Sequence, residues 1–144
     1  MPDRHDLEQA RRLADAVPLS PPYTIELILS ELTVRHGTPI LLREGQTGPF
    51  SAYTETTREA HTIYLPSLGE TRAQTWVIAH ELGHILMGDT LGAAIPHHPE
   101  SESRADAFAD RLVERLAARR HILTKRPHLG EAMERFAREL GIYE

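Results

Sequence analysis

The sequence predicts an α+β fold, mostly helical, with a small three-stranded sheet ahead of a central helix. Three observations carry this. Apolar residues recur at helical spacing through the first 36 residues and again from Thr71 onward. Between these stretches, residues 38–66 change to short β-branched and aromatic runs broken by glycines and polar turns. A chain of 144 residues that is 40% hydrophobic has enough apolar material for one core, so residues 1–144 are expected to form a single domain.

The elements follow in order. Leu7 to Ala16 carries Leu7, Ala10, Leu13 and Ala14 on one helical face, and the prolines between Val17 and Pro22 break it. Tyr23 to His36 repeats the pattern with Ile25, Ile28, Leu29 and Leu32, and Gly37 is a suitable C-cap. These two helices make up residues 1–37. Within 38–66, Pro39–Arg43, Phe50–Thr54 and His61–Leu65 read as strands, with a polar turn near Thr57 to Glu59. Residues 71–119 return to helix. One helix runs from Thr71 to Gly88, and a second runs from Glu102 to about Arg119 with Ala105, Phe108, Ala109, Leu112, Val113 and Leu116 as its apolar stripe. Residues 127–144 hold a last helix, Leu129 to Leu140.

Composition narrows the classes of function. No apolar run approaches the roughly 20 residues that cross a bilayer, and the polar start Met1-Pro2-Asp3-Arg4 leads into no apolar segment of a secretory signal. A cytoplasmic location is expected. With no cysteine, a metal site must use histidine and carboxylate. A net charge of −5 weighs against non-specific nucleic-acid binding.

His80-Glu81-Leu82-Gly83-His84 is an H-E-x-x-H motif. Residues i and i+4 lie about 40° apart around a helix, so both imidazoles project from one face toward one zinc ion. Glu81 is turned about 100° from His80. It flanks the metal rather than binding it and can act as the base for an activated water. The apolar run Trp76-Val77-Ile78-Ala79 would bury this helix, and Gly83, which weakens a helix by about 1 kcal/mol, makes sense if another element packs closely on it.

A catalytic zinc site takes a third protein ligand and keeps one position open. The metzincin pattern would place a histidine six residues after His84, but Thr90 stands there. Glu102 is the better candidate, with Asp106 one turn beyond it to accept a hydrogen bond from a ligand histidine. Glu100 competes as ligand and is expected to precede the helix. One Zn²⁺ per chain is the expected cofactor.

Ala79-His80-Glu81-Leu82-Gly83-His84, then Gly88-Asp89, then Glu102-x-x-Ala105-Asp106-x-Phe108-Ala109 resembles the ImmA/IrrE family of metallopeptidases over roughly Ile40 to Leu116. The paired second block makes the match specific, because H-E-x-x-H alone is shared by many families. The resemblance implies that His80, His84 and Glu102 are zinc ligands and Glu81 the base, similar to gluzincins. It also implies a protein substrate, since members commonly cleave DNA-binding repressors or antitoxins of phages, mobile elements and stress regulons. Two departures stand out: Arg104, where many members have an acid, and the charged run Asp110 to Arg115.

Other features have plainer readings. His97 and His98 could stabilise the oxyanion or shape the cleft, but they suit a solvated loop. Tyr53 and Tyr64 are rival oxyanion donors, or half-buried strand residues. The basic stretch Arg115 to His128 could touch nucleic acid, but a solvated helix end is the simpler account. Met133 to Ile142 resembles the start of a helix-turn-helix, with no recognition helix before Glu144. The leading expectation is a zinc endopeptidase. The alternative is a non-catalytic zinc-containing module that sequesters a transcriptional regulator, which would leave Glu81 without a task.

Overall fold

The computed structural model describes residues 4–48, 52–68, 72–90 and 99–125. Its elements are α1 (Arg4–Asp15), α2 (Ile25–His36), β1 (Ile40–Glu44), β2 (Tyr53–Thr56), β3 (His61–Leu65), α3 (Arg72–Leu86) and α4 (Pro99–Lys125). The mixed sheet precedes the helix that carries the H-E-x-x-H motif, as the sequence predicts. Among the described residues, no helix is long and apolar enough to cross a membrane. The expected C-terminal helix and the loop histidines His97 and His98 lie outside the described residues.

Thr24 caps α2, its side chain accepting from the Leu27 amide at 3.3 Å, and Gly37 closes it at φ 74°. The Thr33 hydroxyl then joins helix to sheet, donating to Leu29 O at 2.8 Å and accepting from the Ile40 amide at 3.0 Å. In the sheet, β3 is central, with β1 parallel on one side and β2 antiparallel on the other. β2 runs Tyr53–Thr56, two residues past the expected end at Thr54, and the expected start at Phe50 lies outside the described residues. Pairing decides this, because the register Tyr53↔Tyr64 to Thr56↔His61 carries Glu55 and Thr56 into the strand. An edge strand exposed on one side needs no apolar residue at those positions.

The core gathers Ile28 and Leu29 of α2, Ile63 and Leu65 of β3, Leu82 of α3, and Phe108 and Leu112 of α4. α1 lays the buried Ala10 and Ala14 along α4. Arg115 of α4 fastens the end of α1, donating to Ala14 O at 2.6 Å and Val17 O at 3.0 Å. Burial lowers the pKa of its guanidinium from the ordinary value. Arg120 donates in the same way to Tyr23 O at 3.0 Å. Two of the basic residues in the stretch from Arg115 are therefore tied to backbone carbonyls of the N-terminal region.

α4 begins at Pro99, ahead of the expected Glu102, so Glu100 lies in its first turn rather than before it. Proline favours the first helical position, where its missing N–H costs nothing, and the acids that follow suit the helix N-terminus.

Candidate metal centre

α3 and α4 pack antiparallel, and their facing side chains meet at matching one-turn steps. On α3 these are His84, His80 and Trp76. On α4 they are Glu102, Asp106 and Asp110. Each step is four residues, which keeps every member on the facing side of its own helix. Gly83 permits the close approach. A Cβ built there would lie 3.0 Å from Cδ1 of the Phe108 ring, which is fully buried. The close packing expected at this glycine is what the structure has.

Glu102 bridges the two histidines of the motif. Its Oε2 is 3.0 Å from His80 Nε2 and its Oε1 is 3.1 Å from His84 Nε2. The two Nε2 atoms are 3.1 Å apart. These separations approach the edge of about 3.3 Å in a tetrahedron of ligands about 2.0–2.1 Å from a zinc ion. The donor set, two imidazole nitrogens and a carboxylate, suits such an ion. Glu81 is buried at 6% exposure, and its carboxylate lies with the two histidine nitrogens in a group whose ligand atoms are all within 4.8 Å of one another. That group could hold a metal ion. Glu102 is outside that group of three, but its two carboxylate oxygens touch both of its histidines.

The second ring nitrogens face acids. His84 Nδ1 is 3.0 Å from Asp89 Oδ2. His80 Nδ1 is 2.8 Å from Asp106 Oδ1, an ion-pair distance whose angle falls short of a hydrogen bond. Acids on both Nδ1 atoms favour the tautomers whose Nε2 lone pairs point at the shared centre, where a cation would relieve the crowding of acceptors. The Trp76 ring lies against His80, centroids 5.3 Å apart, and its Nε1 donates to Asp110 Oδ1 at 2.8 Å.

His80, Glu81, His84, Glu102 and Asp106 thus come together as a group. The rival oxyanion donors are half-buried strand residues. Tyr53 and Tyr64 stack on each other across the sheet at 5.9 Å, and Tyr64 also covers Gly45. Thr90 is buried and accepts a hydrogen bond from Thr56 Oγ1 at 2.7 Å, and that hydroxyl in turn meets His61 Nδ1 at 2.8 Å. Burial, and after it the nearby His36, lowers the His61 pKa below 6.5. Sequence reasoning missed the contacts of Asp89 and the Trp76–Asp110 pair. Both had a signal: Gly88 just past α3, and the four-residue steps 76, 80, 84 and 102, 106, 110.

A helix bearing H-E-x-x-H, met by a second helix that returns a glutamate to both histidines, marks a metallopeptidase-type domain. Residues 35–142, three quarters of the chain, match the peptidase family described as the IrrE N-terminal-like domain. The chain belongs to that family. The match runs well past Leu116 and takes in the segment that resembles the start of a helix-turn-helix. No curated protein and no solved structure matches the chain.

Proposed function

We propose that the protein is a zinc-dependent endopeptidase, with His80, His84 and Glu102 as metal ligands and Glu81 as general base. The reading rests on one observation above all, the meeting of two Nε2 atoms and one carboxylate within 3.1 Å beside a buried glutamate. When bound, zinc supplies Lewis-acid activation of water and of the scissile carbonyl. Glu81 takes the proton from the attacking water and passes it to the leaving amine. Asp106 and Asp89 meet the two imidazoles at their Nδ1 atoms and orient them toward the metal position. Membership of a peptidase family supports a protein substrate. The resemblance to ImmA/IrrE members points to a DNA-binding repressor or antitoxin as that substrate, in the cytoplasm.

The experiment is co-expression with helix-turn-helix regulators, comparing wild type, Glu81→Gln and His80→Ala for cleavage, pull-down and zinc content. Wild type should carry one zinc per chain and cleave a partner. Glu81→Gln should keep the zinc and the partner while cleavage falls by at least about 10²–10⁴, since an amide cannot take the water's proton. His80→Ala should lose the zinc. Binding of a partner without cleavage by either Glu81 form would replace the peptidase reading with sequestration.

A further inference from the structure

We propose that the Gly88–Asp89 cap of α3, backed by Arg104 on α4, is the device that fixes the orientation of the His84 ring. This rests on the reading of His84 as a metal ligand and says how the chain holds it. Gly88 adopts φ 77°, a left-handed conformation that a residue bearing a Cβ adopts only with strain. The turn it makes closes the helix with two bonds, Gly88 N–H to Ile85 O at 3.2 Å and Asp89 N–H to His84 O at 2.9 Å. The same turn folds the Asp89 side chain back over the last helical turn, where Oδ2 meets His84 Nδ1 at 3.0 Å. Asp89 therefore grips His84 twice, by its backbone at the carbonyl and by its side chain at the ring.

The rest of the surroundings make this grip stiff. The His84 side chain is fully buried and that of Asp89 is only 13% exposed, so water is a poor substitute partner. Arg104 Nη2 stands 3.9 Å from the other Asp89 oxygen and is itself held by a 3.3 Å bond to Ser101 Oγ. Thr90, the next residue, is buried and anchored on Thr56. His80 has a looser support, because Asp106 is 52% exposed and its contact is poorly aligned. The two histidines are thus oriented unequally, and Arg104 works through Asp89.

The test measures Zn²⁺ affinity by chelator competition and the visible spectrum of the Co²⁺ form, with helicity followed by circular dichroism. Asp89→Ala should weaken zinc binding about 10–100-fold, more than Asp106→Ala does, and should alter the cobalt spectrum. Asp89→Asn, which keeps an oxygen acceptor for Nδ1–H, should recover most of the affinity with unchanged helicity. Arg104→Gln should weaken binding a few-fold alone and add nothing in the Asp89→Ala background, since it acts only through that carboxylate. Wild-type affinity and spectrum in Asp89→Ala, alongside lost binding in His80→Ala, would overturn the clamp and leave the metal site standing. Retained binding in both would overturn the metal-site reading as well.

Discussion

Phe108 lies flat against the bare backbone of Gly83, so close that a Cβ on Gly83 would sit 3.0 Å from Cδ1 and 3.2 Å from Cγ of the ring. This contact sets how near α4 comes to α3, and hence how near Glu102 comes to His80 and His84. Gly83→Ala would gain about 1 kcal/mol in helix propensity. Against that, the fully buried Phe108 ring has little room to yield, and such overpacking costs about 1–3 kcal/mol. The expected net result is lower stability in urea, by up to about 2 kcal/mol, with weaker zinc binding. A variant more stable than wild type that binds zinc equally would show that the ring moves freely.

Glu102 and Glu100 now share one helix, which sharpens the choice between them. Two residues on a helix are separated by about 200° around the axis, so only one of these acids can face α3. Glu102 is the one within 3.0–3.1 Å of both histidines. Glu102→Ala should weaken zinc binding by more than the ~10–100-fold typical of a supporting residue, and Glu100→Ala by little. Isothermal titration with Zn²⁺ distinguishes them, and the reverse order would mean the wrong acid has been chosen.

Trp76 is the only tryptophan in the chain, and its ring lies 5.3 Å from that of His80. A metal ion bound at His80 should therefore register in its emission. Titrating Zn²⁺ into metal-free protein is expected to give a fluorescence change that saturates at one equivalent. His80→Ala should abolish it. A flat response in wild type that demonstrably binds zinc would show that this ring pair does not persist in solution.

His61 gives a pH dependence separate from the metal site. Its folded-state pKa is depressed, by burial first and by His36 second, so the fold favours the neutral ring. The stability it contributes is complete above pH 6.5 and is lost as pH falls below that value through the folded pKa. Thermal unfolding of the metal-free protein between about pH 7 and about pH 5 should fall less steeply in His61→Gln than in wild type. His36→Gln should lie between them, and superimposable profiles would rule His61 out as the source.

The helices were legible because their signals are local. Period, the Gly37 cap and the H-E-x-x-H spacing all lie within a few residues, and α1, α2 and α3 lie within a few residues of where their patterns put them. α4 starts three residues ahead of the expected Glu102, because Pro99 in front of Glu100 is itself a start signal. β2 slipped because Glu55 and Thr56 join the sheet through pairing with Thr62 and His61, a relation that a half-exposed edge strand does not write into its own apolar pattern. At the site, Glu102 and Asp106 could be found by reasoning about one helix face. Asp89 needs a different signal, Gly88, since its meeting with His84 depends on a chain reversal there rather than on a helical step.

The hydroxyl contact between Thr56 and Thr90 carries a mechanical consequence. The acids that meet His80 and His84 at 3.1 Å or less come from α4 and from the turn after α3, yet this 2.7 Å bond fastens the sheet's edge strand to the residue that follows Asp89. A local opening of β2 from β3 would pull on Thr90 and release the chain at the point where it leaves α3. Fluctuations of the strand edge are therefore transmitted to the floor of the centre, and amide exchange in β2 and in residues 85–89 should share a common opening step.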